Sequence, residues 1–385
     1  MSMFRIAVCS SLLTALAAAQ TTHVVPAGGG ALQLAINAAS PGDVLDLLPG
    51  DHLAATVSRG LHFSLRSGAR ILAGGQAALT IFSLPATEAV IVEGGSVQGV
   101  SAIGCAGAVV CTDLVFSTPG PLAAAHIDSC TGPVAMTRLR GEALSIFATH
   151  GFVSIDNSSQ VSFHSCMLPV TRVTGSNVSF ADTTIPTQAA NPALHIVSGS
   201  VAVTGGRFTG GVVAYPLRWP GIRMDGGSLV ATGGAIIEAT PNIPVPGSAI
   251  ETAGGAIRLD PSVTLLGTTP INGPASVSVA FTPGIEVTRA RQSPTYQVTV
   301  RAERSSLAFT LISLPQPATP FVLGDLWLPP DSPVLDVGVI PLSGARAFTR
   351  SLSAVPPFLV LVTQSASLSP SGTIAVGAPT RFVWD

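Results

Sequence analysis

The chain has 385 residues, and 18 basic and 20 acidic side chains give it a formal net charge of −2 at neutral pH. Only 10% of the residues are charged, and every basic residue is arginine. The composition therefore excludes chemistry that needs lysine, and the lack of a basic run argues against a nucleic-acid partner. A hydrophobic content of 47% excludes a disordered chain, while 40 Gly and 31 Pro indicate many tight turns.

Residues 1–19 have the features of a secretory signal peptide. Arg5 precedes an apolar stretch over 6–16, and three alanines at 17–19 supply the small residues of a cleavage site. The apolar stretch is shorter than the roughly 20 residues that a membrane-spanning helix needs. We therefore expect residues 20–385 to be exported to an extracellular or cell-surface location, with no integral membrane segment after cleavage.

The first elements predicted after the signal peptide are a helix, a turn and a strand. Residues 31–39 (ALQLAINAA) form an amphipathic helix whose apolar face consists of Leu32, Ala35, Ile36 and Ala39. Residues 40–43 (SPGD) have the Pro-Gly centre of a type II turn, and residues 44–50 (VLDLLPG) follow as the first strand.

A short apolar pattern then recurs at intervals of 17 to 28 residues. Its first positions are Val90, Val109, Val134, Val161, Val178, Val201, Leu229 and Ile257. From the second of these onward, the residues two places on are Cys111, Met136, Phe163, Phe180, Val203, Ala231 and Leu259. Because side chains alternate between the two faces of a strand, both columns should face a common interior.

The alternate positions of the same strands are mixed in character, and we expect them to face solvent. One such column contains Val110, Ala135, Ser162, Ser179, Ala202, Val230 and Arg258, and the next contains Thr112, Thr137, His164, Ala181, Thr204, Thr232 and Asp260. Repeats with variable loops predict stacked coils of short parallel strands, which is a β-solenoid. A doubly wound α/β fold would need helices between the strands, and an antiparallel sandwich would not give recurring columns.

The helix, SPGD turn, strand and Pro-Gly of residues 31–50 resemble the start of right-handed parallel β-helix proteins of the pectate-lyase-like class. The resemblance covers roughly residues 22–272 and is strongest over 31–57. It implies an all-β, right-handed parallel β-helix domain with an N-terminal capping helix, in a secreted bacterial protein. It also implies a class that includes enzymes acting on acidic polysaccharides.

The pattern changes near residue 273, so we place the parallel β-helix domain at 20–273 and a second domain at 274–385. Longer strands such as 296–301 (YQVTVR) and 307–312 (LAFTLI), separated by Pro-rich turns, predict a small C-terminal β-sandwich of about seven strands. Residues 311–385 resemble C-terminal modules of large secreted bacterial proteins, through LPQPATPFVLGDLWL and SLSPSG. That resemblance implies surface association or sorting.

Four cysteines remain after signal cleavage, which allows three full pairings. A gapless alignment of residues 105–114 with 130–139 places Cys105 and Cys130 at one position of neighbouring repeats. Neighbouring strands lie about 5 Å apart, within the Cα separation of a disulfide. We predict a Cys105–Cys130 disulfide, with Cys111 and Cys166 as buried free thiols.

The polar residues of the repeats do not form the clusters that polysaccharide-degrading enzymes need. Glycoside hydrolysis needs two carboxylates about 5–9.5 Å apart, and a calcium site needs several converging oxygen ligands. Asp113, Asp182 and Asp260 are isolated, and the histidines at 150 and 164 lack metal-ligand spacing. We therefore predict no catalytic residue, no metal site and no cofactor.

One segment concentrates aromatic and basic side chains: Arg207, Tyr215, Arg218, Trp219, Arg223 and Asp225. It falls in the long connection between two repeats, so we expect a projecting loop. Aromatic rings flanked by arginine can stack on a sugar and hold a carboxylate or sulfate, which predicts a ligand-binding site. The alternative, favoured by the tendency of long loops to fold back on their own side chains, is that Trp219 and Tyr215 only pack the loop.

These observations favour a secreted, non-catalytic β-solenoid protein that acts by adhesion or by contact with a polysaccharide or another cell-surface component. The alternative function is a carbohydrate-active enzyme, a polysaccharide lyase or glycoside hydrolase, with its site near Arg207, Arg218, Arg223 and Asp225. The scarcity of charged residues favours the non-catalytic function, because few groups are present to tune one another's pKa. The ligand and the oligomeric state are left open by the sequence.

Overall fold

The computed structural model describes residues 20–73, 77–117, 124–141, 152–186, 191–211, 219–240, 247–288, 295–316, 319, 326–329, 331–351 and 358–384. The predicted signal peptide lies outside these residues. Over the described ranges the protein is all-β, with one helix, α1 (Ala31–Ala38), long parallel sheets, and antiparallel sheets at the C-terminal end.

Three parallel sheets, which we call A, B and C, make up the parallel stack. Sheet A contains, in spatial order, β1 (Thr22–Val25), β2 (Val44–Leu47), β5 (His62–Leu65), β8 (Ala89–Glu93), β11 (Ala108–Thr112), β14 (Val134–Thr137), β17 (Val161–His164), β19 (Ser176–Ala181), β22 (Gly199–Thr204), β25 (Ser228–Thr232), β28 (Ala256–Leu259) and β31 (Ser276–Val279).

Sheet B contains β3 (Gly50–Leu53), β6 (Ala69–Leu72), β9 (Ser96–Val97), β12 (Val115–Phe116) and β15 (Arg140–Gly141), then β20 (Thr184–Ile185), β23 (Arg207–Thr209), β26 (Ile236–Glu238) and β29 (Thr264–Leu266). Single bridges through Met167 join its two parts. Sheet C contains β4 (Ala55–Val57), β7 (Leu79–Phe82), β10 (Val100–Ile103), β13 (Ala125–Asp128), β16 (Val153–Asp156), β18 (Thr171–Thr174), β21 (Leu194–Ile196), β24 (Ile222–Met224), β27 (Ser248–Thr252) and β30 (Thr269–Asn272).

The chain visits the three sheets in rotation, and we call one such passage a rung. This arrangement is consistent with the predicted β-solenoid. The predicted columns are confirmed, because each first position from Val90 to Ile257 lies directly opposite its equivalent on the next rung of sheet A. Both apolar columns belong to one buried core cluster, which also contains residues of sheets B and C.

The N-terminal helix and turn also form as predicted. Leu32 and Ile36 of α1 are buried against the core cluster. In the turn, the amide of Asp43 donates to the carbonyl of Ser40, and Gly42 has a φ of +93°, which suits the third position of a type II turn. The Asp43 carboxylate accepts hydrogen bonds from His23 and from the amides of Ser40 and Thr21, and these bonds hold its pKa below the ordinary value.

The corners of the rungs explain much of the glycine content. From β8 to β25, the residue that follows each sheet A strand has a positive φ: Asp113, Arg138, Ser165 and Asp182 on four rungs, and Gly94, Gly205 and Gly233 on three others. A second such column follows the strands of sheet C, at Ser83, Gly104, Ser129, Asn157 and Gly175. Left-handed backbone is inexpensive for glycine and tolerable for Asn, Asp and Ser, so these corners select small residues.

The C-terminal module consists of two antiparallel sheets. Sheet D contains β32 (Gly284–Thr288), β33 (Thr295–Arg301) and β36 (Ala345–Ser351). Sheet E contains β34 (Leu307–Ser313), β35 (Val334–Val339), β37 (Leu359–Leu368), β38 (Ile374–Val376) and β39 (Thr380–Trp384). One apolar cluster holds residues of both sheets, among them Val298 of sheet D and Phe382 of sheet E. The last parallel strand, β31, lies beyond the boundary predicted at residue 273.

The prediction that the outer face of sheet A points to solvent is wrong. Val110 and Ala135 are fully buried and pack against Val360 and Val383 of the C-terminal module. Their equivalents Ser162, Ser179 and Ala202, and most of the threonine column (Thr112, Thr137, Thr204 and Thr232), are buried as well. The module lies along this face, with β39 against β14, β17 and β19, which is why the sheet carries small and apolar residues there.

Arg381 of β39 anchors the module to the stack. Its side chain is 1% exposed, and its Nη1 donates to the carbonyl of Val161 in β17 at 3.2 Å. Its Nη2 donates to the carbonyl of Gln316 at 3.3 Å, and its guanidinium lies 4.9 Å from the centre of the Trp327 ring. A buried cation is costly unless it is hydrogen-bonded, so these contacts specify one docked position for the module.

The stacked register predicts different costs for two equivalent glycines. Gly206 and Gly234 occupy the same corner of consecutive rungs with φ values of +76° and +74°. A Cβ at Gly206 would lie 2.0 Å from the carbonyl oxygen of Thr183 on the preceding rung, whereas a Cβ at Gly234 meets nothing within 4 Å. Gly234→Ala should cost about 1–3 kcal/mol in unfolding free energy from backbone strain alone.

Gly206→Ala should cost clearly more than Gly234→Ala, because the clash with the neighbouring rung adds to the same strain. Urea unfolding followed by circular dichroism measures both free energies. Equal losses in the two variants would contradict the stacked register.

Candidate functional site

The outer face of sheet C carries a continuous row of polar side chains. The strand register places these residues opposite one another from rung to rung: Ser101, His126, Ser154, Arg172, His195, Arg223, Glu251 and Asn272. We call this set the polar row. From Ser101 to Glu251, the residues on either side of each member are buried, as Leu194 and Ile196 are beside His195. Successive members are therefore about 4.8 Å apart along the stack.

Two members of the polar row, His195 and Arg223, form a cluster with the nearby Asp225. The Nε2 atom of His195 lies 2.8 Å from one carboxylate oxygen of Asp225, and the Nε of Arg223 donates to the other at 3.2 Å. The three side chains are between a quarter and a half exposed. Asp225 thus holds the His195 imidazole on one side and the Arg223 guanidinium on the other.

The charge state of Asp225 follows from these contacts. Partial burial alone would raise its pKa, but the hydrogen bonds from His195 and Arg223 outweigh burial and hold the pKa below its ordinary value. Asp225 is therefore ionised at neutral pH, and its attraction for the two basic side chains is lost only in acid.

Of the predicted ligand-binding residues, the structure brings together Arg223 and Asp225 but not Arg207. Arg207 lies in β23 of sheet B, where its Nη2 is 2.5 Å from the Glu238 carboxylate. Arg223 lies in β24 of sheet C. The expectation that both arginines belong to one projecting loop is therefore wrong, because each is in a strand of a different sheet. Tyr215 and Arg218 lie outside the described residues.

Trp219 precedes β24 and is half-buried. Its amide donates to Thr240 Oγ1 at 2.9 Å, and its carbonyl accepts from the Thr240 amide at 3.0 Å, so the next rung fixes its backbone. The indole Nε1 is buried and has no hydrogen-bond partner among the described residues. This orientation favours the packing interpretation of Trp219 over the sugar-stacking one.

His195 is the one member of the cluster that the sequence analysis missed. It lies in the short segment Leu194–Ile196, which carries no repeat signal of its own. Its place is set by register: His195 lies opposite Arg172 on one side and Arg223 on the other. Aligning residues 194–196 with 222–224 would have found it, since both are apolar-basic-apolar triplets.

The cysteines occupy the positions that the repeat alignment gives them. Cys105 and Cys130 lie on adjacent rungs, and the amide of Thr131 donates to the carbonyl of Cys105. All four cysteines of the described residues are buried free thiols. The Cys130 thiol donates to the carbonyls of Ala102 and Asp128, and its interaction with the neighbouring Cys105 lowers the pKa of the Cys105 thiol. The Cys105–Cys130 disulfide stays a prediction, since the two side chains are adjacent but not bonded.

Comparison with known proteins gives no further assignment: no protein-family model matches the chain, and no curated protein matches it. Within the described ranges, no three His, Cys, Asp or Glu side chains converge as a metal site would require. Nor is any helix there long and apolar enough to cross a membrane. Evidence for a function of this chain therefore comes from the geometry of the sheet faces.

Oxidation should join Cys105 to Cys130 and leave Cys111 and Cys166 unpaired. Deep burial raises the pKa of both Cys111 and Cys166 to about 12, which keeps them protonated and unreactive. The measurement is peptide mapping without reductant after purification in air, with alkylation under denaturing conditions. Recovery of Cys105 as an alkylated thiol would contradict the predicted bridge.

Proposed function

We propose that this chain is a secreted, non-catalytic, right-handed parallel β-helix protein that binds a polysaccharide along the outer face of sheet C. The observation that carries the proposal is the polar row, and within it the His195–Arg223–Asp225 cluster. The C-terminal module, a β-sandwich, would hold the stack at a cell surface or in an extracellular matrix.

The spacing of the polar row supports a linear polymer as the ligand. The row presents one side chain every 4.8 Å or so, because that distance separates parallel strands. This repeat is comparable in length to one sugar residue of an extended polysaccharide. From Arg172 to Asn272, where the row is at least partly exposed, consecutive sugar residues can therefore meet consecutive members, and many weak contacts add up along one chain.

The chemistry of the row suits sugar hydroxyls and carboxylates. Arg172 is exposed, and Arg223 is held in place by Asp225, so each offers guanidinium donors toward solvent. Guanidinium groups bind carboxylates and sulfates through charge-assisted hydrogen bonds, and acidic groups such as Glu251 accept from hydroxyls. We therefore infer a uronate-containing or otherwise acidic polysaccharide as the first ligand to test.

The covering of sheet A supports the choice of sheet C. Because the C-terminal module buries the outer face of sheet A over β11 to β22, that face is closed to a polymer. Sheet C is the longer of the two remaining parallel faces, and the members of its polar row from Arg172 to Asn272 are at least partly exposed.

A second candidate, a carbohydrate-active enzyme, is favoured by one contact. His195 bound to a carboxylate resembles a base held by an orienting acid, the arrangement that general-base chemistry uses. In that case polygalacturonate would be cleaved, and elimination would give an unsaturated product that absorbs in the ultraviolet. The two candidates differ in turnover, not in the place of binding.

Binding can be measured by affinity electrophoresis in gels containing polygalacturonate or alginate, at two salt concentrations. Arg223→Ala should weaken binding about tenfold, since a charge-assisted hydrogen bond is worth about 1.5–3 kcal/mol. Arg207→Ala is the matched control, because Arg207 is an ion-paired arginine of a neighbouring strand on a different sheet. It should leave the affinity within about twofold.

Equal losses from Arg207→Ala and Arg223→Ala, or none from either, would contradict a binding face on sheet C. The same samples, incubated with and without calcium, report turnover through ultraviolet absorbance. If the wild type forms the unsaturated product and the His195→Ala variant does not, the non-catalytic function is overturned and the enzyme function is supported.

A further inference from the structure

The stack ends at three strands that have a neighbour on one side only. β29, β30 and β31 are the terminal strands of sheets B, C and A, and among the described residues they pair with β26, β27 and β28. The amides of Ser276 and Ala280 donate to the carbonyls of Gly255 and Leu259. Because alternate residues of a strand point to opposite sides, the amides of Val277 and Val279 point away from β28.

The apolar core is uncovered at this end. Val277 and Val279 continue the two inward columns of sheet A, lying opposite Ile257 and Leu259 of the buried core. Val277 is nevertheless 45% exposed and Val279 is 67% exposed. Leu266 and Phe281 of the same terminal rung are also more than two-fifths exposed.

The opposite end of the stack is closed, whereas the part of the C-terminal module that the structure describes lies away from this one. At the N-terminal end, α1 covers the core with Leu32 and Ile36. After Phe281 the chain turns back, so that β32 contacts β22 and Gly284 lies against Gly233, several strands from the end. The module then continues along sheet A toward β8, where Phe358 of the module and Ile91 of β8 pack against one apolar cluster.

The terminal rung lacks the usual protection of an exposed sheet edge. Edge strands are normally kept apart by charged side chains, because identical edges otherwise pair. Residues 261–285 contain no Asp, Glu, Arg or His, and the chain has no Lys. Two copies of this end can therefore meet without like charges opposing one another.

We propose that the terminal rung, residues 263–281, is an interface with a second copy of this chain, which joins two stacks end to end. The partner that binds this end must itself offer unpaired strand edges around an apolar centre. A second terminal rung offers both, related to the first by a two-fold axis. The contact pairs strand edges and covers Val277 and Val279. The proposed contact between two chains does not depend on which ligand the polar row binds.

Sedimentation velocity of the purified protein over a wide range of concentration tests the proposal. The wild type should sediment with about twice the mass of one chain, as a closed two-fold contact requires. Val279→Arg should shift the mass to that of one chain, because two cations would be buried opposite each other. Val279 is exposed in the single chain, so the change needs no repacking of the core.

The matched control is Val339→Arg, since Val339 is 58% exposed but lies on the C-terminal module. It should leave the dimer intact. A wild type that stays a single chain at every concentration overturns the proposal. A dimer that Val279→Arg leaves unchanged, or that Val339→Arg dissociates, also overturns it. Open filaments would overturn it as well, because a closed two-fold contact joins only two chains.

Hydrogen exchange on the wild type keeps the proposal testable if Val279→Arg does not fold. The amides of Val277 and Val279 should exchange fast in dilute protein and slow as concentration rises, because pairing across the interface protects them. Exchange at these two amides that does not change with concentration overturns the interface.

Discussion

The structure depends on one constraint, the in-register pairing of each strand with its equivalent one rung earlier. This pairing fixes which residues stack, because a slip of one residue would turn every inward side chain of a strand to the outer face. Val109, Val134 and Val161 stay in one buried column although the chain between them varies in length. The loops can therefore vary while the faces stay aligned, and a polar row on one face becomes possible.

The sequence predicted sheet A well because its inward columns are strictly apolar, and burial is the strongest pattern that a repeat can show. It did not predict the polar row, since its members have no constant residue type from rung to rung, although the triplets around His195 and Arg223 share an apolar-basic-apolar pattern. The burial of Val110 and Ala135 was also missed, because it comes from contact with a module more than 200 residues further along the chain. A local sequence pattern carries no information about a contact between residues so far apart in the chain.

The three sheets thus have different surroundings. Sheet A is covered by the protein's own C-terminal module, which Arg381 fastens through the carbonyl of Val161. The outer face of sheet B carries exposed ion pairs such as Arg207–Glu238, which contribute little to stability. Sheet C exposes its polar row, fully or in part, from Arg172 to Asn272, whereas Ser101 and Ser154 are buried.

The central claim is that the module closes the outer face of sheet A while sheet C stays open, and thiol labelling tests it most directly. The four native cysteines within the described ranges are buried, so a single introduced cysteine reports its own surroundings. Ser162→Cys on sheet A should react with a thiol reagent only on unfolding, since Ser162 is 3% exposed. Arg172→Cys on sheet C should react at once in the native protein. Equally fast labelling of both would contradict the account.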